Sequence, residues 1–276
     1  MIKKKSYISD ISTYIALALV TFITLLPLIW MLSASLKREV DVFSIPIQWI
    51  PTDPQWANYT KIWTKIPLAL FTFNSAKLTV IITIIQLVTS SFAAYGFAKC
   101  RFKGRDALFL CYVATIAIPW QVYMLPQYIM MNKVHLIDTH MSIILLQSFT
   151  AFGVFLIRQF YLSIPDELLE AARIDGLSEY GIYFRIVMPL TKPALATLTI
   201  FSFVNVWNDF MGPMIYFNST SLKTIQLGIR MFIGQYSAEY GLIMAASVVS
   251  LIPVIAVFLA FQRFFIQGVA TSGLKG

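Results

Sequence analysis

Long apolar runs divide this chain, each about as long as a bilayer crossing, and polar segments separate them. A membrane-spanning helix needs about 20 mostly apolar residues. The third run contains Pro119 and Pro126, and the sixth contains Pro253. Such breaks are tolerated where neighbouring helices satisfy the freed backbone groups, so we expect a bundle. The pattern predicts an all-α integral membrane protein with six transmembrane helices, Tyr14–Leu32, Leu78–Phe97, Ala107–Met131, Met141–Phe160, Leu190–Tyr216 and Tyr240–Phe265.

The first apolar run has two interpretations. Lys3, Lys4 and Lys5 precede it, and Ser33–Ser35 resembles a cleavage site, as in a secretory signal peptide. The run is longer than the apolar core of a typical signal peptide. We therefore expect a retained membrane anchor.

Composition supports membrane embedding. The 276 residues are 58% hydrophobic and 12% charged, whereas a soluble domain carries about twice that charge. We expect a single transmembrane domain over residues 1–276, surrounded by lipid. The net charge of +8 does not indicate nucleic-acid binding, because the basic residues lie between apolar runs and form no aromatic-interleaved face.

The basic residues predict the orientation instead. With a cytoplasmic N-terminus, 13 of the 21 lysines and arginines fall on the inner side, and Lys99–Arg105 is the densest cluster. Cytoplasmic loops carry such an excess. Both termini are then cytoplasmic, the long outer loop covers about residues 33–77, and a polar inner loop covers about residues 163–189.

No internal energy source is visible. Ion-driven carriers keep ionisable residues at mid-membrane, but Asp209 is the one acid well inside an apolar run. The GxxxxGK[ST] phosphate loop is absent from the sequence. His135 and His140, with Asp138 between them, offer a metal site as an alternative to an ordinary polar loop, and we favour the loop. No nucleophile–base pair stands out, so we expect a transport subunit rather than an enzyme, powered by a partner.

The inner loop concentrates charge and helix signals. Five of the 13 acids lie between Asp166 and Glu179. Pro165 and the acids that follow it suit a helix N-terminus, and Gly176 suits its left-handed end. The pattern predicts a helix over Asp166–Asp175, and a second helix that Ser178 caps and that runs to about Val187 before Pro189 stops it.

This loop suits contact with another protein. Ala171 and Ala172 are small enough for close approach, and Glu170 and Asp175 offer carboxylates. Arg173 lies three residues from Glu170, within side-chain reach. A rigid amphipathic helix of this kind fits a groove on a partner. The alternative is an interfacial helix on lipid, which usually is basic rather than acidic.

The loop resembles the cytoplasmic EAA loop of ABC-importer permease subunits, in the stretch EAARIDGLSEYGIYFRIVMP. Leu177 and Met188 depart conservatively from the family pattern. The matching positions are Glu170, Ala171, Ala172, Gly176, Ile186 and Pro189.

Four further stretches are similar to the carbohydrate-uptake branch of that family, the branch of the second maltose permease subunit. They are PLIWMLSASLK (27–37), SSFAAYGFAKCRFKG (90–104), VWNDFMGP (206–213) and QRFFIQGVATSGLKG (262–276). The resemblance implies a type I ABC-importer permease fold in a bacterial or archaeal plasma membrane. It also implies a heterodimer with a second permease, two ATPase subunits and an extracytoplasmic solute-binding protein. ATP and Mg would bind the ATPases, leaving this chain without a cofactor.

The resemblance also assigns roles to residues. It carries ATPase docking to Glu170, Ala171, Ala172, Asp175 and Gly176, through which ATP-driven closure would re-angle the bundle in alternating access. The C-terminal Ser272–Gly276 is a second candidate contact, with a frayed terminus as the alternative.

The expected function is therefore permeation of a sugar or oligosaccharide. The alternatives are a permease of the same architecture for glycerol phosphate or another small polar solute, and an ion-coupled carrier, against which the missing ionisable residues and the inner loop argue. Aromatic faces next to hydrogen-bonding side chains suit sugar binding; interfacial anchoring and polar packing are the alternative roles. The candidate pathway residues are Trp207, Asn208, Asp209, Phe210, Gln121, Tyr123 and Gln127.

Overall fold

The computed structural model describes residues 7–234 and 237–273, with side chains described within 11–234 and 237–264. A π-helical turn, Tyr183–Val187, lies between α9 and α10. The α-helices are α1 (Tyr7–Ser35), α2 (Ala57–Lys65), α3 (Leu68–Lys99), α4 (Arg105–Ala114), α5 (Trp120–Lys133), α6 (His140–Gln147), α7 (Ala151–Leu162), α8 (Asp166–Ile174), α9 (Glu179–Ile182), α10 (Met188–Leu190), α11 (Lys192–Trp207), α12 (Met211–Tyr216), α13 (Ile225–Arg230) and α14 (Tyr240–Gly273).

The described part of the chain contains four helical segments, or up to six with bent helix pairs, that are long and apolar enough to cross a membrane. Four spans are long and apolar enough by themselves: Ile11–Ser35, Leu68–Lys99, His140–Leu162 and Tyr240–Phe264. Two further crossings are bent helix pairs, at 100° between α4 and α5 and at 76° before α11. The count agrees with the six predicted crossings when each bent pair is one crossing.

The first bend follows from a proline. Ile118 and Pro119 are extended, with φ/ψ of −86°/113° and −60°/137°. The residue before a proline is pushed out of the helical region, so the chain leaves α4 and its terminal 3₁₀ turn before α5 begins. Pro126 and Pro253 lie inside α5 and α14 without ending them.

Helix α3 begins earlier than the apolar run predicts, at Leu68 rather than Leu78. Its first turns contain polar residues whose bonds are made by distant segments. The Asn74 amide donates to the carbonyls of Ser221 and Lys223 at 2.8 and 3.0 Å, and the Ser75 hydroxyl accepts from the Ile225 amide at 2.8 Å. Hydropathy alone misses this extension because the polar residues lower the apolar score, while their hydrogen bonds are made by segments distant in the sequence.

The fourth predicted crossing is broken into α6 and α7. Thr150 caps α7 by accepting from the Gly153 amide. Two side chains of α3 satisfy carbonyls freed by the break: the Gln86 amide donates to Gln147 O at 2.7 Å, and the Thr89 hydroxyl donates to Ser148 O at 2.9 Å. Non-helical backbone at membrane depth is tolerated where protein groups satisfy it in this way.

The chain divides into two compact units. Unit 1 comprises the residues up to Leu68 together with Gly228–Leu251, and unit 2 comprises Ala69–Leu227 together with the residues from Ile252 onward. The expectation of one permease domain over residues 1–276 stays a prediction.

Hydrogen bonds from polar side chains to the backbone hold the segments of unit 1 together. The buried Asn58 amide on α2 donates to the carbonyls of Ser35 and Lys37, both at 3.0 Å. The Glu39 carboxylate accepts from the amides of Tyr240 and Gly241 at 2.8 and 3.1 Å. A carboxylate at this position satisfies two amides that the helix itself leaves unpaired at its N-terminus, so Glu39 fixes the start of α14.

Unit 2 has a core that joins α3 and α7 to the inner loop. Its buried members include Ala94, Tyr161, Leu169, Ile182 and Leu198. The helices α3 and α7 approach closely, since a Cβ on Gly153 would lie 2.5 Å from the Ser90 Oγ. The loop residues of this core hold the inner loop against the ends of the membrane helices.

Candidate functional site

Helix α8 has the predicted N-terminal acids and the predicted glycine end. Gly176 has φ of +83°, a region that other residues adopt at a cost. The Gly176 amide bonds to Arg173 O and the Leu177 amide to Ala172 O, both at 3.0 Å. This pair of bonds is the Schellman motif, and it confirms the predicted left-handed cap.

The second helix starts as predicted but does not stop at Pro189. The Ser178 hydroxyl accepts from the Gly181 amide at 3.3 Å, and helical structure then continues through the π-turn to Leu190. The prediction of a stop at Pro189 is wrong because this proline lies in the first turn of α10, where a missing amide hydrogen is tolerated. The bend comes instead at Thr191, before α11.

A charged network crosses the glycine turn. Arg173 Nε donates to Glu179 Oε1 at 2.7 Å, and the Tyr95 hydroxyl donates to Glu179 Oε2 at 2.6 Å. The hydrogen bond to Glu179 raises the pKa of Arg173 above its ordinary value. Arg173 forms its ion pair with Glu179, although Glu170 lies within reach by helix spacing.

A second anchor holds the start of α8. The Lys99 side chain is 4% exposed, and its ammonium donates to Ile164 O at 2.6 Å and to Asp166 Oδ1 at 2.7 Å. The bond and charge of Lys99 lower the pKa of the Asp166 carboxyl, which favours the carboxylate form that the ion pair needs. Tyr95 and Lys99 are one helical turn apart on α3. Lys99 holds the start of α8 directly, and Tyr95 is linked to the end of α8 through Glu179 of α9 and Arg173.

The outward face of α8 mixes acids with apolar groups. Glu170, Ala171 and Asp175 are exposed, and the Ile174 side chain is 86% exposed. Ala172 is only 5% exposed and packs within the unit 2 core. The small size of Ala172 therefore serves packing inside this chain, while Ala171 is the alanine available to a partner.

Unit 2 also contains a cavity of about 430 Å³. That volume lies within the ~300–1,000 Å³ range of ligand pockets. Aromatic faces from Trp120, Phe152 and Phe201 line it, together with amide groups of Gln147 and Asn205. This mixture of flat apolar faces and neutral hydrogen-bonding groups suits a polar, uncharged ligand.

Asp209 is held firmly in the cavity wall. Its carboxylate accepts from Gln147 Nε2 at 2.7 Å and from the Gly212 amide at 3.0 Å. A Cβ on Gly212 would lie 2.5 Å from Asp209 Oδ2, so any larger residue at this position would displace the carboxylate. The carboxylate is thus positioned by two donors and a close backbone approach.

The predicted pathway residues fall into two groups. Tyr123, Gln127 and Asp209 line the cavity. Trp207 is 2% exposed and stacks on Phe203 at 5.8 Å, and Asn208 accepts from Gln226 at 3.3 Å. Gln121 and Phe210 are not among the described lining residues.

Several lining residues were missed by sequence reasoning. They include Gln86, Gln147, Ser202 and Asn205. Each is a polar residue within an apolar run, and polar residues in membrane helices tend to face a bundle interior or a cavity. That signal was available, but no local pattern says which helices bring these residues together.

The polar side chains Asp138 and His140, in and next to the histidine-containing loop, make hydrogen-bond contacts with backbone groups. Asp138, at φ +59°, accepts from the amides of Asn218 and Ser219 at 2.9 and 2.8 Å. The His140 Nε2 lies 2.9 Å from Leu222 O. These contacts are those of a polar loop joining two segments of unit 2.

Two predicted features lie partly outside the described residues. The basic N-terminal lysines, Lys3–Lys5, precede Tyr7. Of the C-terminal stretch Ser272–Gly276, the last three residues lie beyond Gly273, where α14 ends.

Comparison with known proteins identifies the family. The family model of the "binding-protein-dependent transport system inner membrane component" matches residues 86–271, which contain the α8 loop and the cavity.

Full-length relatives agree with this match. The chain is 34% identical to the arabinooligosaccharides transport system permease protein AraQ of Halalkalibacterium halodurans, over 100% of both chains. It is 32% identical to the sn-glycerol-3-phosphate transport system permease protein UgpE of Yersinia enterocolitica, over 95% of this chain and 96% of that one. The fold also matches a chain of a bacterial ABC transporter involved in import of the acidic polysaccharide alginate, with a TM-score of 0.82, 24% identity, and coverage of 96% and 99%. The chain therefore belongs to the family of binding-protein-dependent transport system inner membrane components, the multi-pass permease subunits of ABC importers.

Proposed function

We propose that this chain is one of two permease subunits of an ATP-binding-cassette importer for a sugar or oligosaccharide. It forms half of the translocation pathway, and its α8 loop receives the movement of partner ATPases. ATP and Mg bind those ATPases, and this chain holds no cofactor. A second permease, two ATPase subunits and an extracytoplasmic solute-binding protein complete the assembly. Both termini and the α8 loop face the cytoplasm.

The observation that carries this proposal is that α8 has an exposed outward face and is attached to α3 on its other side. Its outward face presents Glu170, Ala171 and Ile174. Lys99 of α3 holds its start directly, and Tyr95 of α3 is linked to its end through Glu179 and Arg173. Helix α3 has 32 residues, about 48 Å at ~1.5 Å per residue. Movement of α8 is therefore transmitted to α3, which is longer than the ~30 Å bilayer core. Alternating access requires such a connection between the docking loop and a membrane-spanning helix.

The solute class rests on the relatives and on the cavity. AraQ is a permease for arabinooligosaccharides, and aromatic faces with neutral polar groups line the cavity of this chain. The alternative is glycerol phosphate or another small polar solute, since UgpE belongs to a glycerol 3-phosphate system. A sugar and glycerol phosphate differ in charge, since only the phosphate is an anion.

Cross-linking tests the docking role of α8. In a background with Cys100 and Cys111 replaced by Ser, Ile174→Cys is expected to cross-link to the ATPase subunit in the assembled transporter. Thr52→Cys, exposed in the segment between α1 and α2, is the matched control and is expected to give no such product. ATPase cross-linking from Thr52→Cys but not from Ile174→Cys would contradict both the docking assignment and the orientation.

A further inference from the structure

The wall of the cavity carries formal charge of one sign only. Among the described residues that line it, Asp209 is the only one with a formal charge; the rest are apolar, aromatic or neutral polar groups. The two donors to Asp209, Gln147 Nε2 and the Gly212 amide, are neutral, so they satisfy the carboxylate without supplying a positive charge. The cavity wall therefore carries a carboxylate that no lining cation offsets.

An anionic solute meets two penalties in such a cavity. It loses water against aromatic faces without gaining a cation, and transfer of an unpaired charge out of water is strongly unfavourable. It also meets the Asp209 carboxylate. Two like charges about 6 Å apart, in a medium of effective dielectric near 20, disfavour occupancy roughly a hundredfold.

We propose that this cavity selects against anions, so that the solute carried is an uncharged saccharide and Asp209 is a specificity-determining residue. This inference rests on the proposed function, and it decides there between a sugar and glycerol phosphate. Sugar hydroxyls donate to the Asp209 carboxylate and stack on the aromatic faces, whereas a phosphate or uronate has no counter-charge in this half of the pathway.

Charged thiol reagents measure the cavity potential directly. In the transporter assembled with its partner subunits and lacking Cys100 and Cys111, Asn205→Cys places a thiol in the cavity wall. Its reaction rates with the trimethylammonioethyl and the sulfonatoethyl methanethiosulfonates are compared. The same two reagents applied to Thr52→Cys, outside the cavity, calibrate their intrinsic reactivity.

The expected result is a cation-to-anion rate ratio at position 205 about a hundredfold above that at position 52. Adding Asp209→Asn brings the ratio to within a few-fold of the calibration. Asp53→Asn removes an exposed carboxylate that is not among the cavity-lining residues. Added to Asn205→Cys, it leaves the cation-to-anion rate ratio at position 205 unchanged.

Equal ratios at positions 205 and 52, or faster reaction with the anion at 205, would overturn the inference. That comparison needs no change at Asp209, so it stands even if the Asp209→Asn protein does not assemble. The reagents report cavity charge whether or not the ATPase cross-links to α8. Failure of the inference is therefore distinct from failure of the proposed function.

Discussion

At the scale of single residues, Glu179 is the centre of the loop. It joins Arg173 on α8 to Tyr95 on α3, across a glycine turn and a long stretch of sequence. Helix spacing placed Glu170 within reach of Arg173, because local rules consider only neighbours on one helix. The partners Tyr95 and Lys99 were not predictable, since they depend on how α3 packs against the loop.

Removing one hydroxyl tests this network. Tyr95→Phe keeps the ring in the core but deletes the bond to Glu179, and a bond to a charged group contributes about 1.5–3 kcal/mol. We expect deuterium exchange at the α8 and α9 amides to accelerate at least about tenfold, with import reduced several-fold. Tyr180→Phe, on an exposed tyrosine of the same loop, is the control and is expected to match the unmodified protein. Unchanged exchange in Tyr95→Phe would show that Glu179 does not hold the loop to α3.

At the scale of elements, short sequence signals correctly predicted the features that depend on neighbouring residues. The α8 acids, Gly176 and Ser178 gave the helix start, the glycine cap and the second helix start, because each acts within a few residues. The six apolar runs gave the crossings. The limits of α3 and the break between α6 and α7 were missed, since Asn74, Gln86 and Thr89 satisfy backbone groups that lie far away in sequence.

Asn74 provides the test at this scale. Asn74→Leu removes the donor to Ser221 O and Lys223 O, and leaving part-buried carbonyls unpaired costs about 1–3 kcal/mol. We expect the thermal unfolding midpoint of the detergent-solubilised protein to fall by roughly 3–10 °C. Asn132→Leu, at an exposed position on α5, is expected to change the midpoint by no more than about 2 °C. Equal shifts in the two variants would contradict the bonding role of Asn74.

At the scale of the whole molecule, the chain is built to work with partners. The most apolar stretch of the span Ile11–Ser35 is not buried within the chain, as suits a helix facing lipid or another subunit. The sequence contains no phosphate loop, yet α8 is mounted rigidly with an exposed face. Composition and the EAA resemblance predicted this dependence on partners. The full set of cavity-lining residues needed the structure, because the members come from several helices.

The most direct test of the central claim is the number of ATP molecules hydrolysed per solute imported, measured in proteoliposomes that contain the complete transporter. Gly176→Val forces a β-branched residue into φ +83° at the end of α8, which disrupts the cap and the docking surface. Gly104→Val places the same strain, at the same φ of +83°, before α4 and outside the loop. We predict that Gly176→Val raises the ratio at least about tenfold, with ATP hydrolysis retained, while Gly104→Val leaves it near that of the unmodified transporter. An unchanged ratio in Gly176→Val, with import intact, would show that energy does not enter through Glu170–Gly176.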